Sequence, residues 1–451
     1  MTKARVLSAA EGAGLDYYLT KFKSVDPHRF AVIKVSGECI QNDLDTLVTD
    51  LAAIQSYGLQ PVVLFGWGKI LDSKMKAAGV PIVKIKDLRY TDEKVLELID
   101  ATVSEIRDSF FASAEKHKLE LADFTSPIFR VRPLPTQYGY VGNAVGVDVG
   151  GIEKACASGK IPLIAPLGTY KSQVYNINGD TASKRLVCEL QPLKYIVVTG
   201  TGGVLDRNDD LIPRVSIEDD YKSLTRRRNP VVSKGMKVKL REAADLFRML
   251  KNRGTRNGYC VELTSPHTLL NELFTYRGAG TKITPGYQLH LHPWPNGVNV
   301  TAANDLIQRV SGKVLVPGYW QKEPIQAVID EVDDCAGIAV LEGHKGWIYM
   351  DKFYVNFGNQ ATGLGSKIFS AVWDYAEKES PVKGLFWRAN VDNSNVEWYT
   401  KRMSEYAKKG IKIGMESEGE WFVCWVGGDR SQVGDIVEYA ANKPKTLLKK
   451  Q

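Results

Sequence analysis

From residue 30 onward, the sequence alternates short apolar runs with longer stretches of helical periodicity. The apolar runs at 29–37 and 60–68 are each followed by an amphipathic stretch, at 43–56 and 70–78. Strands are further expected at 161–168, 194–203 and 258–264, and helices near 92–118, 180–190 and 234–252. Strands in this rhythm pair in parallel, because each helix returns the chain to the same end of the sheet. The pattern predicts an open α/β sheet with helices on both faces and ligands beyond the carboxyl ends of its strands.

This rhythm breaks at 283–297, a stretch rich in proline and glycine that reads ITPGYQLHLHPWPNG. We therefore expect a first domain at 1–285 with an N-terminal helix within 1–28, a linker at 286–297 and a second domain at 298–451. In the second domain the pattern predicts helices near 302–312, 364–378 and 394–403, and strands at 335–342, 347–355, 384–390 and 420–426. Adjoining strands followed by alternating helices and strands predict a mixed α+β domain.

Composition excludes several classes of function. The 451 residues exceed one comfortable core, which agrees with two domains. The net charge of +7 is spread along the chain, and its one dense group, Arg226–Arg228, has no interleaved aromatics, so we expect no nucleic acid partner. No apolar run approaches the roughly 20 residues of a membrane helix, so no membrane partner is expected either.

The six cysteines lie far apart, which indicates neither a zinc site nor a disulfide framework. We expect no metal centre in the protein and a reducing compartment. The expected location is the cytoplasm, with the mitochondrial matrix as the alternative if a leader has been removed.

The stretch NQATGLGSKIFSAVW at 359–373 places two glycines directly before an apolar-periodic run. The backbone amides at such a helix start suit an anion. Glycines before helices also serve turn geometry alone, so this spacing leaves both interpretations open.

Three motifs in the second half carry a family resemblance. The run from Gln360 to Gly365 resembles the signature by which acetyltransferases of the GNAT superfamily hold the pyrophosphate of acetyl-coenzyme A. YMDKFYV before it and LFWRANVDNSNVEWY after it resemble the catalytic domain of vertebrate-like N-acetylglutamate synthases. The resemblance implies acetyl-coenzyme A as co-substrate, bound by Gln360, Gly363, Leu364, Gly365 and Ser366.

Acyl transfer to glutamate requires a neutral amine, two bound carboxylates and a proton for the leaving thiolate. Lys352 and Arg388 supply cations that match two carboxylates. The resemblance further implies that Asn393 and Asn395 line the substrate pocket and that Tyr399 orients or protonates the leaving group. The second arginine of the family pattern is here Asn390, which removes one cation.

The first half resembles the amino acid kinase fold of acetylglutamate kinase. The resemblance places Lys34 and Lys239 on the transferred phosphoryl group, Asn178 and Asp180 in an Asn-x-Asn-x-Asp motif, and Arg89 on a substrate carboxylate. The glycines of the phosphate loop are Gly66 and Gly68. ATP with Mg²⁺ would be the co-substrate of such a site.

The phosphate loop itself departs from the kinase pattern. Phe65, Trp67 and Lys69 stand where the family has a histidine, a small residue and a proline, and Ser36 replaces a glycine. Lys86-Asp87 also replace the usual Asn-Gly before Leu-Arg. We expect the Trp67 indole to fill space that the phosphate needs, and phosphoryl transfer depends on positioning. The alternative is a domain retained for regulation and oligomer formation.

The regulator implied by the resemblance is arginine. Glu272 and Gly280 lie in a segment that resembles the arginine-site loop of sensitive family members, and Tyr18 lies in a helix that resembles the one covering it. A carboxylate facing a guanidinium is a sound physical basis for such a site. N-terminal amphipathic helices also serve packing or oligomer contacts, and both interpretations stay open.

The leading hypothesis is an N-acetylglutamate synthase acting on L-glutamate and acetyl-coenzyme A in arginine biosynthesis. The second hypothesis adds acetylglutamate kinase activity, and the third is a regulatory protein in which both sites are vestigial. The family resemblance implies a homo-oligomer, commonly a tetramer.

Overall fold

The computed structural model describes residues 14–226, 231–253, 259–275, 278–287, 289–293, 298–321, 326–330, 336–356, 363–393 and 395–449. Its contacts divide the chain into two compact units, Met1–Gly286 and Tyr287–Gln451. Among the described residues, no helix combines the length and the apolar character needed to cross a bilayer.

The first unit alternates helices and strands, as the sequence pattern predicts. Its described helices are α1 (Gly14–Lys23), α2 (Gly37–Ser56), α3 (Gly68–Ala77), α4 (Glu93–His117), α5 (Gly150–Ala157), α6 (Gly179–Leu190), α7 (Ile217–Leu224), α8 (Lys234–Asn252) and α9 (Leu269–Phe274). Its described strands are β1 (Ala31–Val35), β2 (Val62–Phe65), β3 (Lys84–Ile85), β4 (Leu88–Arg89), β5 (Leu121–Phe124), β6 (Phe129–Pro133), β7 (Gly142–Val147), β8 (Ile161–Ile164), β9 (Leu167–Tyr170), β10 (Gln173–Asn176), β11 (Lys194–Val198), β12 (Val204–Leu205), β13 (Leu211–Ile212), β14 (Arg214–Ser216), β15 (Val261–Thr264) and β16 (Thr281–Thr284).

Within the described part of this unit, eight strands form one sheet in the order β14-β16-β15-β11-β1-β2-β8-β5. β1 pairs in parallel with both β11 and β2, so these three strands end at the same edge. Helices cover both faces because successive side chains of the strands point to opposite sides. Ile33 and Val35 join a core with helices α2 to α4, whereas Val32 joins a second core with α5, α6 and α8. The predicted α/β sheet with helices on both faces is confirmed.

The second unit contains helices α10 (Val300–Ser311), α11 (Leu364–Glu379), α12 (Val396–Ala407) and α13 (Val433–Asn442) among its described residues. Its described strands are β17 (Leu289–Pro293), β18 (Lys313–Leu315), β19 (Gln326–Asp330), β20 (Gly337–His344), β21 (Trp347–Val355), β22 (Gly384–Asn390), β23 (Ile413–Glu418), β24 (Trp421–Gly427) and β25 (Leu447–Lys449). Seven of these form a sheet in the order β17-β19-β20-β21-β22-β24-β23.

Two neighbouring strands at the centre of this second sheet separate along part of their length. β21 and β22 run parallel, while the other described neighbours in the sheet run antiparallel. Their pairing covers Ile348 with Leu385 and Tyr349 with Phe386, and the register extends no further among the described residues. The carboxyl-terminal parts of the two strands therefore diverge and leave a cleft in the middle of the sheet.

Three expectations differ from the structure. The run at 161–168 is two strands in different sheets, because Pro166 between them lacks the N–H that a continuous ladder requires. The helix expected from residue 43 begins at Gly37. Part of the expected linker, Leu289–Pro293, is a strand that pairs with β19. The proline of this strand lies at its end, a position that proline tolerates in a sheet.

Candidate active sites

The carboxyl ends of β1, β2 and β11 bring three loops together in the first unit. Gly66 N–H donates to the Val35 carbonyl oxygen over 2.8 Å. A Cβ on Gly37 would lie 2.9 Å from the Gly66 carbonyl oxygen, so this approach requires glycine at position 37. Gly68 begins α3 and has open space around its Cα. Backbone amides and helix starts thus converge where an anionic ligand is expected.

Two of the predicted catalytic side chains meet at this edge. Lys34 Nζ lies 2.8 Å from Asp180 Oδ1, and both side chains are largely buried. Burial would raise the pKa of the Asp180 carboxyl, but Lys34 and Lys239 outweigh it and hold that pKa below its ordinary value. The charge of Lys34 in turn lowers the pKa of Lys239. The structure therefore brings two lysines around one ionised aspartate, an arrangement suited to a phosphoryl group.

Asn178 holds the backbone beside Asp180. Its Oδ1 accepts hydrogen bonds from the amides of Asp180 and Thr181, at 2.9 and 3.3 Å, and so caps α6. A pocket next to this cluster is lined by Asp180, Lys184, Tyr195, Val197, Lys239, Glu242, Ala243, Leu246, Val261, Leu263 and Ile283. Its lining combines four charged side chains with apolar ones, a mixture that is common in ligand pockets.

Arg89 has protein partners in this structure. It forms an ion pair with Asp72, and it donates to the Gly68 carbonyl oxygen over 3.2 Å. Its role on a substrate carboxylate stays a prediction. The turn before it, Lys86-Asp87, has φ values of 47° and 68°. Positive φ at both positions is the conformation for which the family's Asn-Gly is best suited.

The Trp67 indole was expected to fill the space of the phosphate loop, but it packs in the apolar core instead. The side chain is 5% exposed and belongs to the apolar core on the side of α2 to α4, with its ring edge-on to Phe65 at 6.2 Å. Burying this large apolar ring in the core is more favourable in free energy than leaving it exposed at the loop. The mouth of the loop instead carries an ion pair of 2.6 Å between Lys69 and Glu38.

The predicted arginine site lies on the face of the sheet that α2 to α4 cover, because Leu273 and Phe274 of α9 join that core. Glu272 Oε2 accepts from the amides of Ala279 and Gly280, at 2.7 and 3.1 Å. Within the described residues, no hydrogen bond reaches Glu272 Oε1 although the atom is buried. Burial and the neighbouring Glu262 raise the pKa of the Glu272 carboxyl to about 7. Tyr18 is buried on α1, which packs on α9 through Phe22 and Phe274.

In the second unit, the loop after β21 leads into α11. Gly363 is the N-cap with a φ of 97°, a left-handed conformation that favours glycine. Leu364 is buried in the core, and Ser366 lies in the first turn. A Cβ on Gly365 would meet Val355 at an ordinary 3.5 Å. Gln360 lies outside the described residues.

Lys352 follows the point where β21 and β22 diverge, and it is almost completely buried. Its Nζ donates to Asp351 Oδ2 over 2.5 Å and to Thr446 Oγ1 over 2.6 Å. Burial lowers the pKa of Lys352, and the ion pair with Asp351 opposes this shift. The cation expected to meet a substrate carboxylate is thus already held by two side-chain oxygens of the protein.

Arg388, on β22, differs more from its expected role. Its Nη1 donates to the carbonyl oxygens of Ala440 and Lys443, at 2.7 and 2.6 Å, and its Nη2 donates to Pro444 over 3.1 Å. These carbonyls lie at the carboxyl end of α13, which has no intrahelical donors for its last turn. The guanidinium also lies 4.1 Å from the Trp421 ring centroid. Arg388 caps a helix, which leaves less of its planar fork for a substrate.

Tyr399 lies in α12 among aromatic rings, with Trp387 at 5.4 Å and Phe353 at 6.2 Å between centroids. Burial raises the pKa of its phenol, so the group keeps its proton near pH 7. Asn393 Oδ1 accepts from the Asn395 amide over 2.9 Å, which shapes the turn before α12. Asn390 makes a similar contact, accepting from the Asp392 amide over 3.0 Å.

Sequence reasoning missed the partners of Lys352. Asp351 is its neighbour in YMDKFYV and carries the compensating charge, and Tyr319 donates to the same carboxylate oxygen over 2.6 Å. An acidic residue beside a lysine in an otherwise apolar strand was the available signal. Thr446 gives no such signal, because its contact depends on the packing of the last segment.

Two family models match the chain: the amino acid kinase family over residues 29–254, and the N-acetyltransferase of N-acetylglutamate synthase over residues 292–443. A protein of Xanthomonas campestris pv. campestris named acetylglutamate kinase is 32% identical over 448 residues, which span 97% of this chain and 100% of that protein.

Two solved structures of N-acetylglutamate synthase from Neisseria gonorrhoeae share the fold. The complex with coenzyme A and N-acetyl-glutamate has a TM-score of 0.60 at 19% identity, covering 93% of this chain and 100% of that chain. The complex with coenzyme A and L-arginine has a TM-score of 0.63 at 18% identity, covering 92% and 98%. Together with the family models, these likenesses account for both units. The chain therefore belongs to the amino acid kinase family and carries, after that domain, the N-acetyltransferase domain of N-acetylglutamate synthase.

Proposed function

We propose that the second unit is an N-acetylglutamate synthase, which transfers the acetyl group of acetyl-coenzyme A to the amino group of L-glutamate. The observation that carries the proposal is the cleft between β21 and β22. Helix α11, whose N-cap is Gly363, lies beside this cleft. Lys352, Arg388 and Tyr399 lie on the elements around it. The match of residues 292–443 to the synthase acetyltransferase supports the same assignment.

The chemistry fits the groups present. The neutral amine of glutamate attacks the thioester carbon, the nitrogen loses a proton, and the sulfur leaves as a thiolate that takes up a proton. Tyr399 is neutral and buried, and its phenol is the group that we assign as proton donor to the leaving thiolate. The amides that begin α11 at Gly363 would meet the pyrophosphate of coenzyme A. Asn390 in place of a cation lowers the expected affinity for glutamate more than it affects the reaction type.

The test is the release of free thiol from acetyl-coenzyme A by the purified protein. We expect release that depends on L-glutamate and forms N-acetylglutamate in equal amount. L-Aspartate and L-glutamine, each at the same concentration, control for the length and the charge of the side chain. Thiol release that is the same with and without glutamate would exclude the synthase.

A second activity, acetylglutamate kinase, is favoured by the Lys34–Asp180–Lys239 cluster in the first unit. The likeness over the whole chain to a protein named acetylglutamate kinase supports it. Mg²⁺ would be held chiefly by the phosphates of ATP, as is usual for this cation in phosphoryl-transfer sites.

This second activity has its own assay. With ATP, Mg²⁺ and N-acetylglutamate, the acyl phosphate product is trapped with hydroxylamine as a hydroxamate. Formation that requires all three components supports the kinase. A preparation with full synthase activity and no hydroxamate would assign the first unit to regulation instead.

We also propose that arginine binds at Glu272. The buried Oε1, to which no described residue donates a hydrogen bond, is suited to a guanidinium, which presents paired N–H donors. Arginine should raise the melting temperature of the wild-type protein and not that of Glu272→Gln. Equal shifts in both proteins would place arginine elsewhere.

A further inference from the structure

Lys352 is held by a buried cluster that also includes the last segment of the chain. Its ammonium donates to Asp351 Oδ2 at 2.5 Å, to Thr446 Oγ1 at 2.6 Å and to the Asp351 carbonyl oxygen at 3.3 Å. We propose that Asp351 and Thr446 are positioning residues that aim Lys352 at a carboxylate of the amino acid substrate. The proposal rests on the synthase function proposed above.

A β-bulge makes the first contact possible. Val340 on β20 lies opposite Lys352 and Leu341 lies opposite Met350, so Asp351 is the extra residue of β21. In a regular strand, neighbouring side chains point to opposite faces and could not meet. The bulge turns the carboxylate and the ammonium to the same side, immediately past the point where β21 and β22 diverge.

The second contact comes from far along the chain. Thr446 is 7% exposed and precedes β25, which pairs with β18. The same segment is tied down by Arg388, which donates to the carbonyl oxygens of Lys443 and Pro444. The position of the Thr446 hydroxyl is therefore fixed by contacts on both sides of it.

The bonds to Asp351 Oδ2 and Thr446 Oγ1 engage two of the three N–H groups of the Lys352 ammonium. The third N–H has a weaker acceptor. The carbonyl contact at 3.3 Å is long for a charged donor, which ordinarily makes bonds of 2.7–2.9 Å. A substrate carboxylate would be a better acceptor for that hydrogen. Tyr319 completes the cluster, since its hydroxyl donates to Asp351 Oδ2 and its ring centroid lies 4.8 Å from Lys352 Nζ.

Asp351 also compensates the positive charge of the buried Lys352 ammonium. Burial disfavours the charged form of the ammonium and lowers the pKa of Lys352, and the carboxylate at 2.5 Å opposes that shift. Glu342, Arg388 and Lys443 also act on this cluster, Glu342 favouring the charged ammonium and Arg388 opposing it. The aspartate thus supplies the main compensating charge next to Lys352.

The experiment compares Thr446→Val with Thr446→Ser in the full-length protein. We expect Thr446→Val to raise KM for glutamate about tenfold and to leave KM for acetyl-coenzyme A within about twofold, while Thr446→Ser restores the wild-type values. Ser380→Ala is the matched control, because it removes a buried hydroxyl of the same unit that contacts Gly346 instead of Lys352. It should leave KM for glutamate unchanged.

Asp351→Asn supplies a readout that a merely structural role would not move. It should shift the alkaline limb of the pH profile of kcat/KM for glutamate to lower pH, because Lys352 then loses its proton more easily. An active wild type with unchanged KM in Thr446→Val and an unchanged pH profile in Asp351→Asn overturns the positioning role alone. A wild type with neither synthase activity nor glutamate binding by calorimetry overturns the proposed function and this assignment with it.

Discussion

Arg388 shows at the scale of one residue how a binding motif can have a second use. Its side chain was expected to clamp a carboxylate, and it donates instead to three carbonyl oxygens at the end of α13. Removing it leaves these carbonyls without a charged donor, which costs roughly 2–4 kcal/mol. We predict that Arg388→Gln lowers the melting temperature clearly, measured by tryptophan fluorescence of the full chain.

The control for this prediction is Lys345→Gln, which removes an exposed ion pair to Asp435 at the other end of the same helix. Exposed pairs contribute little, so its melting temperature should stay near that of the wild type. If Arg388→Gln melts like the wild type and raises KM for glutamate, the guanidinium binds substrate and does not cap the helix.

Gly363 carries the second prediction at this scale. Valine at a φ of 97° is strained, and its side chain would crowd the amides that begin α11. Gly363→Val should abolish coenzyme A binding measured by calorimetry. Gly346→Val is the matched control, since that glycine has a φ of 87° in the turn between β20 and β21. It should lower the melting temperature by a similar amount while coenzyme A still binds.

At the scale of elements, Glu272 on α9 predicts a pH dependence of stability. Its pKa in the folded protein is about 7, against 4.5 as the ordinary value. The folded state therefore holds this proton more tightly, and stability falls as the pH rises from 4.5 through 7, by up to about 3 kcal/mol. Glu272→Gln has no such proton, so its free energy of unfolding, measured in urea, should fall less over this pH window.

The control for this prediction lies in the neighbouring charged groups. Glu262, Lys194, Lys282 and Lys21 surround this region and are common to both proteins. A parallel pH dependence in wild type and variant would show that another group titrates.

The sequence predicted some elements better than others for physical reasons. The helix at 234–252 and the strands at 347–355 and 384–390 have the expected bounds, because each has a strong apolar pattern with polar or glycine limits. The strand Ile413–Glu418 was missed, since it is an edge strand with mostly exposed side chains. The small sheet β10-β9-β6-β7 was missed as well, because short strands with mixed polarity lack a clear period.

The candidate sites divide in the same way. Residue identity and local motif predicted Lys34, Asp180 and the helix start at Gly363. The burial of Trp67, the cap role of Arg388 and the contact of Thr446 depend on side chains distant in sequence. Such contacts are set by packing, which a local pattern does not contain.

For the whole molecule, each candidate site is built from the residues of one unit, and each unit has its own apolar cores. We therefore predict that the two activities can be removed separately. Lys34→Ala takes a charge from the phosphoryl site and should lower kinase activity at least about 100-fold, while the rate of glutamate acetylation stays within about twofold.

Tyr399→Phe is the reciprocal change. It removes the proposed proton donor and keeps the ring that packs between Trp387 and Phe353, so the fold should persist. We expect kcat for acetylation to fall about 100-fold with KM for acetyl-coenzyme A nearly unchanged, and kinase activity to stay as in the wild type. Both assays are run on the same preparations of wild type, Lys34→Ala and Tyr399→Phe. Loss of both activities in either variant would mean that the two sites are coupled, because a local loss of one charge or one hydroxyl then has an effect beyond its own unit.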